Sequence, residues 1–485
     1  MLMHIVRKEI LEHFMSLRFA VACVLCFTVV LAGLFVRQQE YLLVSADYHE
    51  ERVSAAQERD NKRRPRGIVW RGVTTHQKPN PLKIFVRGVD EGNGVSVRVN
   101  AHRPPQILTD DTRNPLMLLF PAMGLVNFVG VLMSLLAIVF GYDAICGEKE
   151  RGTLRLMLSY NVPRDHVLLG KWIGGYTALV APFLLSILAG GALVLIQRQI
   201  SLSLSQWARL GVVCAIAFLY IAVIYWMTIW VSCLTRRAAT SVMVLVTIWL
   251  VAVLAIPNLS PYVARAIRPT QNPLQLEINR EESRREIWER MVEDRMKKYR
   301  EDHGFGDKWW KEIDWDKWEE RRRFVEMQVY WNQNQKEAND ARLRRYEQLD
   351  ESFQRELDGQ VRLSRWLSRS SPFSCFAMLA AELTDTGMMA KRRFLEQIRG
   401  YQHELADYGH AECLRVERYP LEHEGKGLDW RKPENRIGPI PVFTYVPAAG
   451  SDYLKEAVLD AGILAASAVI FFILSYLSFR RYDVR

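Results

Sequence analysis

Six stretches of this chain run for 18 residues or more without a single Asp, Glu, Lys or Arg: Phe19–Val36, Leu116–Gly141, Trp172–Ile196, Leu210–Leu234, Ala238–Ile256 and Ala461–Phe479. No other feature restricts the fold as much. A hydrocarbon slab about 30 Å thick takes about 20 apolar residues to cross as a helix. Inside it, every backbone N–H and C=O must be bonded within the protein, which admits only helices and closed barrels. The expected fold class is therefore mainly α: a polytopic membrane protein with six transmembrane helices plus a mostly helical extracytoplasmic domain. Pro182 in the third run is tolerable, because neighbouring helices satisfy the freed backbone group. The first run, preceded by Arg7 and Lys8, has the outline of a secretion signal. It exceeds the usual apolar core of about 7–15 residues, and five more runs follow it, so it is read as a span.

The bulk figures conceal this organisation. A hydrophobic fraction of 49% and a mean hydropathy of −0.07 would suit a soluble protein, but they average a membrane half with a highly charged half. Orientation is read from Lys and Arg in short loops. With a cytoplasmic N-terminus, inside segments carry Arg7, Lys8 and Arg18, then Lys149, Arg151, Arg155, Arg164 and Lys171, then Arg236 and Arg237, and finally Arg480, Arg481 and Arg485. The short outer loop between spans three and four offers only Arg198 and Arg209. Both termini are expected in the cytoplasm, with the chain in the cell (inner) membrane. Trp172, Trp207, Tyr142 and Tyr453 fall near the expected interfaces, where amphipathic rings collect.

The resulting division is as follows. Residues 1–18 form a cytoplasmic elbow helix lying in the membrane plane, with Ile5, Ile10, Phe14 and Leu17 at helical spacing. Spans cover 19–36, 116–141, 172–196, 210–234, 238–256 and 457–479. Residues 142–171 are a cytoplasmic loop and 480–485 a cytoplasmic tail. Residues 37–115 and 257–456 lie outside. The first outer segment is basic at Arg59, Lys62, Arg63, Arg64 and Arg66, and alternates with period two over 83–87 and 95–99, which suggests two short strands. In the second, 28 of the 44 residues from Arg280 to Arg323 are charged, fourteen of each sign. A nucleic-acid surface would be one-signed; balanced alternation describes solvated helix. Trp288, Val292, Met296 and Tyr299 make one apolar stripe, and Tyr346, Leu349, Phe353, Leu357 and Val361 another. A helical hairpin or small bundle is expected. Trp309, Trp310, Trp315 and Trp318 either pack at its bend or form an aromatic binding patch. A further helix is expected over 378–408, then a Pro- and Gly-rich strap over 411–450. Its segment 439–447 lies against the membrane surface or the last span.

Of seven cysteines, only Cys375 and Cys413 fall outside by this topology, which makes them a candidate disulfide. Catalytic and metal signatures are missing: no G-x-x-x-x-G-K-[ST] phosphate loop, no H-E-x-x-H, no G-x-S-x-G, and no zinc-ligand spacing. Ionisable groups are almost absent from the spans, where an ion-coupled carrier would need some. Asp460, at the outer edge of the sixth span, reads as a cap or interfacial residue. A chain of this kind that moves anything draws its energy from a partner.

The turn Gly147-Glu148-Lys149-Glu150-Arg151-Gly152-Thr153-Leu154 separates spans two and three. With Leu158-Ser159, Pro163-Arg164 and Leu169-Gly170-Lys171 downstream, it resembles the loop between spans two and three of ABC-2 type ABC-transporter permeases. Arg7-Lys8-Glu9 resembles that family's elbow helix, and Phe479-Arg-Arg-Tyr-Asp-Val-Arg485 its tail. The large outer insertion between spans five and six is similar to that of the gliding-motility and copper-enzyme-maturation type permeases. The resemblance covers the membrane half, about 250 residues. It implies a non-catalytic transport subunit without a cofactor of its own, ATP and Mg being bound by a separate cytoplasmic ATPase in two copies. That ATPase would dock on the loop through Glu148, Lys149, Glu150, Arg151, Gly152, Thr153, Leu154 and Arg164. A second permease chain, identical or sister, completes the assembly. A rival reading is a mechanical or assembly protein that relays ATPase motion to the outer domain without a substrate path.

Overall fold

The structure is a computed structural model that describes residues 2–61, 71–88, 96–108, 124–159, 163–305, 313–428, 438–447 and 450–481. Six helices among them are long and apolar enough to cross a membrane: Leu17–Gln57, Leu125–Arg151, Arg164–Ile196, Leu204–Leu234, Ala238–Ile267 and Ala457–Arg480. They match the six apolar runs. The first is part of a longer helix, Leu17–Asn61, that continues well past the expected end at residue 36. Polar residues beyond the hydrocarbon need no change of backbone conformation, so nothing in Gln38–Gln57 stops the helix. The basic cluster Lys62, Arg63, Arg64 and Arg66, residues 116–123, Trp309, Trp310 and the tail beyond residue 481 lie outside the described residues.

The helix Leu2–Phe14 is the elbow, ended by a turn in which the Ser16 hydroxyl donates to the His13 carbonyl at 2.6 Å. It does more than rest on a membrane surface. It packs along the third span, where a Cβ at Gly170 would come within 2.6 Å of Ile5, and one at Gly174 within 2.5 Å of Glu9. Two glycines four apart let two helix backbones approach closely, a packing mode typical of membrane helices.

Beyond the opposite end of the spans lies a helical domain. The long helix Trp318–Ser368 runs alongside Pro273–Trp288, with its continuation to Asp302, and alongside Met388–Glu422. The first sequence stripe packs as expected: Val292 and Met296 are buried with Ala338, Trp288 meets Trp331 edge-on at 5.8 Å, and Tyr299 stacks on Tyr330 at 4.3 Å. Trp315 is half exposed and touches Phe324, while Trp318 lies under Gly425. A three-stranded antiparallel sheet, β1 (Val73–His76), β2 (Ser96–Val99) and β3 (Gln106–Leu108), covers one side of Met388–Glu422.

Four expectations are corrected. The strand expected at 83–87 is not formed; Pro81–Ile84 is a 3-10 turn, set by Asn80 capping the Leu82 N–H and by Pro81 fixing φ. The helix expected at 378–408 is two helices, Pro372–Leu383 and Met388–Glu422, broken where Asp385 takes a φ of 55°. The second helix runs on past residue 408 to Glu422, with Gly409 buried inside it. The strap segment 438–447 packs on the helix Met388–Glu422 of the domain. Tyr401 and Tyr408 donate to the carbonyls of Pro441 and Gly438, and the Gln397 amide clamps both backbone groups of Val446. Cys375 and Cys413 are not bonded to each other. Cys375 is buried beside Phe376 and Ala380, whereas Cys413 packs with Ala101, Leu343 and Ala406 in a different cluster.

The helix Pro372–Leu383 enters the membrane bundle. Its Phe376 stacks on Tyr220, halfway along the fourth span, at 5.2 Å, and Phe373 fills the space above Gly130 of the second span. It also packs along the sixth span. Two π-helical segments, Phe128–Met133 in span two and Leu250–Ala255 in span five, frame it. A π turn frees backbone carbonyls, and side chains fill that role here. Tyr220 and Ser134 donate to Gly130 O, and Ser371, which caps the inserted helix, donates to Ala252 O.

Candidate coupling site

The charged turn is two short helices, Cys146–Arg151 and Thr153–Ser159, joined at Gly152. Gly152 has a φ of 73°, the left-handed conformation that ends a helix cheaply only when there is no Cβ. The glycine-bracketed sequence therefore specifies a rigid corner.

Its inner face is bolted to every neighbouring element. The Ser232 hydroxyl of span four accepts the N–H groups of Ile145 and Cys146, each at 3.0 Å. These are donors that a helix start leaves orphaned. Lys149 Nζ donates to the carbonyls of Cys233 and Thr235, where span four ends. Glu150 Oε2 accepts the N–H of Ala238 at 3.1 Å, putting a negative charge at the positive end of the span-five helix. Just before the turn, Asp143 takes a two-pronged ion pair from Arg18 at 3.0 and 2.8 Å, and the guanidinium lies over the Tyr142 ring.

The centre of this joint is a buried charge triad. Lys171 Nζ of the third span lies 2.9 Å from Glu9 Oε1 of the elbow and 2.6 Å from Glu148 Oε1 of the turn. The side chains are 4%, 10% and 12% exposed respectively. Three segments far apart in sequence converge on one ammonium group. Arg164 adds a further tie, donating to the carbonyl of Arg480 at the end of the sixth span at 2.6 Å.

The sequence-selected residues therefore divide into two groups. Glu9, Glu148, Lys149, Glu150 and Arg164 hold the joint together, and Leu154 is fully buried in the core. Arg7 and Lys8 are exposed on the elbow, and Arg151, Gly152 and Thr153 on the turn, followed by Arg155 and Leu156, the last 63% exposed. Lys171, the hub, was read in the sequence as one of many inside charges. Its signal was positional: a lysine one residue ahead of an apolar span, four before Gly175, on the glycine face that receives the elbow. At the other end of the bundle, Asp460 is fully buried and held by Arg365 at 3.2 Å and Arg369 at 2.6 Å. It lies inside the helix Gly450–Arg480, so it is not a cap, and it ties the long helix to the sixth span.

This arrangement defines a multi-pass α-helical membrane protein with a rigid charged corner at one end and an extramembrane helical domain at the other. The chain belongs to the ABC-2 family of transporter proteins, whose sequence profile matches residues 3–484. Over 85 residues it is 38% identical to a probable ABC transporter permease protein NosY of Stutzerimonas stutzeri, which is 17% of this chain and 31% of that relative. Over 50 residues it is 48% identical to the NosY protein of Pseudomonas aeruginosa, 10% of this chain and 18% of the relative. The chain thus spans less than a third of the length of the relatives it matches.

Proposed function

We propose that this chain is the membrane-spanning subunit of an ATP-driven ABC exporter, energised by a separate cytoplasmic ATPase that docks on the corner between spans two and three. The orientation, with both termini in the cytoplasm of an inner-membrane protein, rests on the distribution of Lys and Arg in short loops. Two permease chains pair with two copies of the ATPase, which carries the ATP and Mg.

One observation carries this reading. The corner is clamped on its inner face to the elbow and to spans three, four and five, while its outer face, from Arg151 to Leu156, is mostly exposed. A push applied there is transmitted to four elements at once. Docking then uses the exposed Arg151, Thr153, Arg155 and Leu156 rather than the buried Glu148, while Glu150, though exposed, is tied to the Ala238 N–H. Charge complementarity at the rim of such a contact governs how readily partners associate.

The test is co-purification with a cytoplasmic ABC ATPase subunit from the same cells. Arg151→Glu together with Arg155→Glu should abolish the complex while leaving membrane insertion and thermal stability unchanged. Retention of the complex by this variant removes the docking face.

The inserted helix Pro372–Leu383 favours a second reading, in which ATPase motion is relayed to the far domain without a substrate path. It fills the bundle between spans two, four and six and joins directly to the long helix through Ser368–Ser371. Spin labels on the long helix in the assembled complex separate the two. An ATP-dependent displacement with no leak or flux through reconstituted vesicles supports the relay.

A further inference from the structure

A cavity of about 820 Å³ opens at the end of the bundle away from the charged corner. Its walls include the extension of the first-span helix, β1 and the segment following it, the connection between spans three and four, the strap, and Asp385, Ala390 and Tyr401. The size suits a small ligand, for which pockets run from about 300 to 1,000 Å³. Its lining is lopsided in charge. Arg52, Lys78, Lys83 and Arg209 face one carboxylate, Asp385, which lies 3.9 Å from Arg393. Arg52 and Lys78 are exposed and make no hydrogen bond or ion pair among the described residues. Tyr48 and Tyr445 add aromatic surface beside these cations. The floor lies at membrane level, since Arg209 is five residues into the fourth-span helix and next but one to Trp207.

We propose that this cavity binds a phosphate-bearing anion, as the head group of a membrane lipid or as free phosphate. Arg52 and Lys78, exposed in an aromatic-walled recess at the bilayer surface, are matched by a phosphate that brings acceptor oxygens and negative charge. The proposal is independent of how the chain is energised.

The test is native mass spectrometry of the full-length purified protein with phosphatidylglycerol, phosphatidylcholine or inorganic phosphate added. Wild type should retain phosphatidylglycerol in preference to phosphatidylcholine, or retain inorganic phosphate. Each of Arg52→Ala and Lys78→Ala should lower the occupancy constant about fivefold, and the double variant about 25-fold, at about one cation's worth of membrane-surface attraction each. Arg52→Lys with Lys78→Arg should restore it, with the thermal midpoint unchanged throughout. Competition decides the source: displacement of phosphatidylglycerol by millimolar phosphate identifies a free-anion site, and its absence a lipid site. Equal retention of both lipids with no phosphate bound, or binding unaffected by the double alanine variant, overturns the proposal.

Discussion

Replacing Lys171 by Met tests the energetics of the joint, because methionine keeps an unbranched chain one heavy atom shorter and removes the charge together with its hydrogen-bond donors. The wild-type ammonium makes two charge-assisted contacts, 2.9 Å to Glu9 and 2.6 Å to Glu148. Hydrogen bonds to charged groups contribute about 1.5–3 kcal/mol each, so losing both costs about 3–6 kcal/mol. A second route gives the same size: removing one partner of a buried ion pair costs about 3–5 kcal/mol, because the other charge is left uncompensated. Here two carboxylates are stranded, and Glu148 Oε2 is already buried without a hydrogen-bond partner. The thermal midpoint of the purified protein should fall by on the order of 5 °C. The triple variant Glu9→Gln, Glu148→Gln, Lys171→Met removes all three charges and should recover most of that loss, since apolar or neutral replacements of buried ion groups are often close to neutral. An unchanged midpoint for Lys171→Met, or a triple variant no more stable than the single one, refutes the triad as the clamp of the joint.

Gly174→Ala should loosen the elbow: its new methyl would sit 2.5 Å from Glu9 Cβ, and a cysteine placed at the buried Val6 position in an otherwise cysteine-free background should react faster with a water-soluble maleimide in the variant; an unchanged rate would count against the close packing. Asp460→Asn strands Arg365 and Arg369 at the far end of the bundle and should cost about 3 kcal/mol, read as faster limited proteolysis of the long helix; an unchanged cleavage rate would count against the anchor. In the far domain, burial holds His102 and His410 down to about 4, with Asn339 bridging them at 3.0 and 2.9 Å. Unfolded histidine titrates near 6.5, so between about 6.5 and 4 the unfolded chain binds more protons. Stability contributed by the neutral pair is complete above that window and falls as the pH drops through it, by at most about 3 kcal/mol per histidine. The proteolysis midpoint of wild type should drop across this range and that of His410→Gln should drop less.

The spans were legible because the hydrocarbon imposes one requirement, length without charge, and each of the six runs meets it alone. The stripe Trp288–Tyr299 was legible for a similar reason: helical period is a local property, and its partners Met327, Tyr330 and Trp331 had only to be apolar. The inserted helix was not read from the sequence. At twelve residues with one charge, Glu382, it is too short to span, and its burial depends on Tyr220 and Gly130, both more than 150 positions away. An apolar run of about 10–14 residues flanked by charged helix was the available signal. The candidate site was read from the sequence as a segment, without its inner workings. Charge in a turn says that it meets water or a partner, and only the fold shows that Glu148 turns inward to Lys171 while Glu150 and Arg151 stay exposed. The disulfide failed on the same ground, since sharing a side of the membrane places no limit on the distance between Cys375 and Cys413.

The inserted helix has a consequence for biogenesis. Its seat is built partly from the sixth span, which is synthesised about a hundred residues later. Domains emerging from the ribosome generally fold from the N-terminus onward, yet this one is barred from its final position until the last hydrophobic segment has been threaded into the bilayer. The phenylalanines of Pro372–Leu383 must wait outside the bundle in the meantime, so truncation before residue 457 should leave a chain that inserts five helices and is then cleared by quality-control proteases.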